Sequence, residues 1–220
     1  MPEHPERTLQ YVRSARAGTT PPEGKRSIFS MYEKNHPSWP LRRAVETVKS
    51  GGVIAYPTEA VYGLGCDPLE HAAVRRIFAI KQRDQTKGLI LIASDMAQLL
   101  PFMAGLSGDI LSKLKASWPG PVTWVVPAAP ALPFWLSGGR STLAVRVTAH
   151  PIASALCREL GMALVSTSAN RSGRPPARTA LAVRTQLGDG VDEIVAGPVG
   201  GLNRPTEIRE ALTGKVLRAG

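Results

Sequence analysis

Apolar runs of four to six residues alternate with segments of helical period from Pro40 to the end of the chain, and this alternation leaves few folds open. The clearest run, GLILIA at 88–93, is apolar on both faces and is therefore expected as a central strand. The same reading predicts strands at 53–56 (ended by Pro57), 122–126, 143–147 and 163–167, with short ones near 192–196, 206–209 and 215–218. A helix is expected from Pro40, with Leu41, Ala44, Val45 and Val48 on one face and Gly51-Gly52 as its stop. Further helices are expected over 70–82, 107–117, 151–160 and 179–187, and 58–68, with its two glycines, reads as a loop. Interleaving of this kind predicts an α/β fold: a single domain, residues 37–220, built on a twisted mixed β-sheet with flanking helices. No repeat or linker divides 40–220, whereas residues 1–36 are polar, rich in proline and aperiodic, which predicts a flexible N-terminal extension.

Composition narrows the class. With 43% hydrophobic and 20% charged residues the chain is not globally disordered. No run approaches the roughly 18 apolar residues of a membrane span, so a soluble protein with no membrane contact is expected. Cys66 and Cys157 are the only cysteines, and no apolar leader precedes them, which predicts a reducing, cytoplasmic compartment. The four histidines occur in no ligand spacing, so no zinc site is expected.

The net charge is +10, from 27 Lys and Arg against 17 Asp and Glu. It is spread along the chain, but residues 101–180 carry eight cations against only Asp109 and Glu159. Such an excess suits a polyanion, RNA or a nucleotide, and a basic surface with no dedicated partner accounts for it equally.

The familiar nucleotide fingerprints are absent. GTTPPEGKRS (18–27) has the wrong glycine spacing and Arg26 where a P-loop needs Ser or Thr, and Gly63-x-Gly65 lacks the third glycine of a dinucleotide fold. Three other segments carry chemistry. KQRDQTKG (81–88) closes a helix and opens a strand, with Lys81, Arg83 and Lys87 close together. Residues two apart on a helix point to nearly opposite sides, so Lys81 and Arg83 converge on one anion only if the chain has left the helix between them; alternatively these cations only complement the helix C-terminus. STSAN (166–170) puts short hydroxyl and amide groups at a strand end, suited to phosphate or ribose oxygens or to an ordinary turn. Arg146, between Val145 and Val147, either faces solvent or is held inward by an anion.

Taken in order, YPTEAVYGLGCDP, KQRDQTKGLILIA, WPGPVTWVVPA, STLAVRVTAHP, LVSTSANRSGRPP and NRPTEIREALTGKVLRAG closely resemble the short bacterial YrdC/TsaC-type threonylcarbamoyl-AMP synthases over about residues 40–220. The resemblance implies a YrdC-like sheet with a large concave basic cavity. The implied reaction joins L-threonine, bicarbonate and ATP into threonylcarbamoyl-adenylate with release of pyrophosphate. The product serves threonylcarbamoyladenosine formation next to the tRNA anticodon, through a separate transferase complex downstream. It implies Mg²⁺ carried by ATP, no resident metal and no organic cofactor.

By the same resemblance, Lys81 and Arg83 match a Lys-x-Arg element and Ser168 and Asn170 a Ser-x-Asn element, both catalytic and ATP-binding, and Lys87 continues the ATP contacts. Thr58, Thr142, Arg146 and Ser166 match the threonine side, with Arg146 for the carboxylate. Ala60 stands where many relatives have a second Thr, and Thr206 where Ser is common. The extra C-terminal domain of longer members is expected to be absent. The rival expectation is a non-catalytic RNA- or ribosome-binding module using the same basic cavity, and direct tRNA contact is compatible with either.

Overall fold

The computed structural model describes residues 39–220, so the expected extension, 1–36, and its boundary lie outside the described residues. The strands are β1 (Ile54–Pro57), β2 (Tyr62–Gly65), β3 (Ile90–Ala93), β4 (Val122–Pro127), β5 (Thr142–Val147), β6 (Leu164–Ser168), β7 (Glu193–Ile194), β8 (Glu207–Glu210) and β9 (Val216–Arg218). The helices are α1 (Trp39–Lys49), α2 (His71–Lys81), α3 (Gly108–Ser117), α4 (Phe134–Ser137), α5 (Pro151–Leu160) and α6 (Ala180–Leu187). Every element expected within 39–220 is present, within a few residues of its expected bounds.

The strands form one mixed sheet in the order β7-β1-β2-β6-β3-β5-β4-β8-β9, with β3 at its middle as its two apolar faces require. Alternate residues send side chains to opposite faces, and the core divides accordingly. Val53, Ala55, Leu91, Val145 and Val165 join the larger cluster, with Ile77 of α2, Leu114 of α3 and Val183 of α6. Ile54, Tyr56, Ile92 and Leu164 join a smaller one with Leu41, Ala44 and Val48 of α1 and Ala153, Leu156 and Cys157 of α5.

β2 is the strand that the sequence reading misses. YGLG carries two residues disfavoured in strands, and it forms one because the sheet is tight there: a Cβ on Gly65 would stand 2.7 Å from both a Tyr56 ring carbon and the Val165 carbonyl oxygen. These glycines admit close neighbours and do not mark a turn. The four-residue helix α4 is also unforeseen, being too short to show a period.

Candidate active site

The strand registers pair Ile90 with Ala144 and Ser166, Ile92 with Arg146, Thr123 with Ile208, Val125 with Glu210, and Gly63 with Ser168. All these residues therefore share the sheet face that α1 and α5 cover elsewhere. On this face a cavity of about 530 Å³ opens, within the size range of small-molecule sites. Its lining includes Arg83, Lys87, Arg140, Arg146 and Arg218 against one carboxylate, Glu210. Seven of the nine expected site residues lie on its wall: Thr58, Arg83, Lys87, Thr142, Arg146, Ser166 and Ser168. Lys81 and Asn170 are not on the wall; both bond to Ser168, which is.

Lys81 is the last residue of α2, and Gln82 follows with φ 49°, so the chain leaves the helix before Arg83 as convergence of the two cations requires. The two then diverge in role. Lys81 is only 3% exposed, and its ammonium donates to the Ser168 carbonyl, to the Asn170 carbonyl at 3.0 Å, to Asn170 Oδ1 at 3.2 Å and to Ser168 Oγ at 3.5 Å. Ser168 Oγ in turn donates to Asn170 Oδ1 at 2.6 Å, and Asn170 Nδ2 donates to the Arg174 carbonyl at 2.6 Å. The ammonium is thus saturated with the oxygens of the β6 end. It sets where Ser168 stands and does not itself reach the cavity. Burial, reinforced by the charge of Arg83, pulls its pKa from 10.5 down to about 8.

Arg83 does reach the cavity. Its Nη2 donates to the Gly88 carbonyl at 3.0 Å, its Nε is buried without a partner, and burial followed by the charge of Arg140 lowers its pKa. Ser168 stands at the strand end beside this cationic region, which also holds Lys87 and Arg140.

Arg146 is neither solvent-facing nor unpaired. It is 4% exposed; its Nη1 donates to Thr206 Oγ1 at 2.8 Å and to Thr123 Oγ1 at 3.1 Å, and its Nη2 to Glu59 Oε2 at 3.1 Å. Glu59, in the turn between β1 and β2, also accepts from Thr148 Oγ1 at 2.6 Å. The inward-held alternative therefore holds, with the anion supplied by the chain. Three of the five guanidinium N–H groups are spent, and Nε is buried without a partner. Arg218 donates twice to the Thr206 carbonyl, and burial together with the charge of Arg146 lowers its pKa.

Thr58 lines the cavity, and its Oγ1 donates to the Val61 carbonyl at 2.7 Å. Ala60 lines the same wall, and the hydroxyl of Thr206 is the group Arg146 uses, so a Ser–Thr exchange at 206 keeps the acceptor. The sequence reading misses Glu59, Thr123, Thr148, Arg140 and Arg218. Glu59 in particular looks like an ordinary charged turn residue, and only the approach of β5 shows otherwise.

Comparisons with known proteins identify relatives of the whole described chain. A threonylcarbamoyl-AMP synthase of Nitrosococcus oceani is 54% identical over 182 residues, which cover 83% of this chain and 98% of the relative. One from Coxiella burnetii is 49% identical over 178 residues, 81% of this chain and 96% of the relative. Among solved structures, Escherichia coli YciO superposes with a TM-score of 0.72 at 30% identity, over 81% of this chain and 87% of its own. Pyrococcus abyssi Sua5 complexed with L-threonine gives 0.75 at 32% identity over 79% of this chain, which spans about half (51%) of the Sua5 chain. The Sua5/YciO/YrdC family model, described as "Telomere recombination", matches residues 46–220. With that match over most of its length, and the cavity floor made of the strands that carry its motifs, the chain belongs to the Sua5/YciO/YrdC family.

Proposed function

We propose that this protein is a threonylcarbamoyl-AMP synthase that joins L-threonine, bicarbonate and ATP into threonylcarbamoyl-adenylate and pyrophosphate, the intermediate for threonylcarbamoyladenosine in tRNA. The observation that carries the reading is a single cavity whose wall joins the cations Arg83 and Lys87 and the hydroxyl of Ser168 to the buried Arg146, with Thr58, Thr142 and Ser166 on the same wall. The names of relatives matched over nearly their whole length favour the enzyme over an RNA- or ribosome-binding module. Bicarbonate use, the transferase complex that takes the product, and direct tRNA contact are parts of the same proposal. No helix among the described residues is long and apolar enough to cross a membrane.

The residue types suit the chemistry. The threonine amine and bicarbonate yield a carbamate whose oxygen attacks the α-phosphorus, so two anions must meet. Arg83 and Lys87, with Mg²⁺ brought in on the triphosphate, offset that repulsion and receive the charge that develops on the leaving group. Arg146 and Arg218 hold the threonine carboxylate, and Thr58 and Ser166 orient the rest of the amino acid. Lys81 and Asn170 serve the nucleotide through Ser168. Neither cysteine lines the cavity, and burial raises both thiols, Cys157 up to about 12, so neither supplies a thiolate. Positioning and electrostatics carry the catalysis.

Incubating the full chain with ATP, bicarbonate and Mg²⁺ should release pyrophosphate only when L-threonine is present. No threonine-dependent release, together with RNA binding that weakens steeply with salt, would refute the enzyme reading. In the same assay Arg146→Ala should raise the KM for threonine about tenfold or more, as expected on losing a charged hydrogen-bond donor, with a smaller change for ATP. An unchanged threonine dependence would remove Arg146 from the amino-acid end.

The lowered pKa of Lys81 adds a pH expectation. Above pH about 8 the native amine loses its proton and can donate only two hydrogen bonds to the four oxygens around it, so the β6 end loosens and ATP affinity should fall. The stability contribution has the opposite sign: between about 8 and 10.5 the unfolded chain holds a proton that native Lys81 has released, so Lys81 makes the fold more stable as pH rises. Calorimetric ATP titration at pH 7.5 and 9.5 tests the first, and the pH dependence of urea unfolding in wild type against Lys81→Met tests the second.

A further inference from the structure

Arg140 stands at the cationic end of the cavity, outside both short motifs. It follows α4 in the turn that leads into β5, and the backbone fixes its place. Leu89 N donates to the Leu136 carbonyl at 2.9 Å. Gly138, with φ +64°, lies so close to the 85–87 turn that a Cβ would stand 2.3 Å from the Thr86 carbonyl oxygen. A Cβ on Gly88 (φ +60°) would stand 3.1 Å from the Leu136 and Ser137 carbonyl oxygens and 3.2 Å from Arg140 Nη1. The two loops are therefore locked together with no side chain between them, and the Arg140 guanidinium lies against Gly88.

Arg83 reaches the same glycine, donating to its carbonyl at 3.0 Å. Lys87 lines the wall beside them. Among the described residues no carboxylate lies within ion-pair distance of Arg83, Lys87 or Arg140. Asp84, adjacent in sequence, turns one carboxylate oxygen onto the backbone N and the hydroxyl of Thr86, each at 2.8 Å. Among the described residues only one of the Arg140 guanidinium N–H groups has a protein partner, the Ser137 carbonyl at 3.3 Å from Nη1. Lys87 acts electrostatically on Asp84, but Arg83 and Arg140 face each other without an ion-pair partner among the described residues, and each raises the cost of the other's charge until a polyanion joins them.

We propose that Arg140 is a phosphate-binding residue that, with Arg83, grips the diphosphate portion of a nucleoside triphosphate and holds it as it leaves. In the adenylation step the carbamate oxygen bonds to the α-phosphorus while the bond from that phosphorus to the bridging oxygen breaks. The electron pair departs on pyrophosphate, and its new negative charge forms where Arg83 and Arg140 converge. This deepens the adenylate-synthase reading and rests on it.

Titration calorimetry of the full chain with inorganic pyrophosphate and, separately, with AMP tests the assignment. Arg140→Met keeps the aliphatic stem and removes the charge. It should weaken pyrophosphate binding roughly tenfold or more, the scale of a charged hydrogen bond, and leave AMP binding unchanged. Pyrophosphate affinity within about twofold of wild type, or equal weakening of AMP and pyrophosphate, overturns the role of Arg140, the latter by showing a distorted loop. Wild-type protein that binds neither ATP nor pyrophosphate would overturn the synthase reading itself, an outcome distinct from a silent Arg140→Met.

Discussion

Replacing Glu59 by alanine should lower the unfolding free energy by about 3–5 kcal/mol, the range for removing one partner of a buried ion pair. Glu59 is 7% exposed and Arg146 4%, and the same carboxylate also accepts the Thr148 hydroxyl. Its loss strands a guanidinium whose Nε is already without a partner and takes the acceptor from the buried Thr148 hydroxyl, which keeps only the His150 N–H that donates to it. Adding Arg146→Met to Glu59→Ala should recover part of the loss, because the stranded charge is then gone; urea unfolding of the two single variants and the double variant measures this coupling. A cost for Glu59→Ala within about 0.5 kcal/mol, as for a surface change, would show that the pair is not the buried anchor described here. The functional consequence follows from the geometry: Glu59 and Thr206 hold the guanidinium in place, so threonine use should suffer with stability.

The second large effect is expected at Lys81. Lys81→Met fills the same space but withdraws the ammonium from the Ser168 and Asn170 carbonyls and from both of their side chains. Ser168 then loses its placement at the cavity, and synthesis should fall roughly 100-fold or more, the scale for small misplacements of a positioned group. Because Lys81 acts through the β6 end and not on the phosphate tail, its variant should weaken AMP and ATP binding together. Circular dichroism must show an intact fold. A loss confined to ATP and pyrophosphate, with AMP binding preserved, would instead make Lys81 a direct ligand of the tail.

These two residues also show how far the sequence can be read. Lys81 and Arg83 share one short motif and look like a matched pair of phosphate ligands. The left-handed Gln82 between them turns one into the packing behind β6 and the other into the cavity. Helix periodicity states that two residues two apart diverge, but it does not say which of them finds an acceptor cage first. The two glycines of β2 are misread for a related reason: a glycine that permits a turn and one that admits a neighbouring ring are the same letter.

The alternation of short apolar runs with helical periods determined the α/β class, the central place of β3 and the approximate place of most elements, because burial of an apolar face is written locally in the spacing of residues. The ordered motifs likewise determined the family, and seven of the expected site residues do line one cavity. Tertiary structure alone decided which charges are partnered and which stand without an ion-pair partner among the described residues. Glu59 meets Arg146 across 87 residues of chain, and Arg140 meets Gly88 through interlocked glycine loops. Electrostatic pairing depends on distance and burial in space, and neither is encoded in the neighbouring residues of the chain.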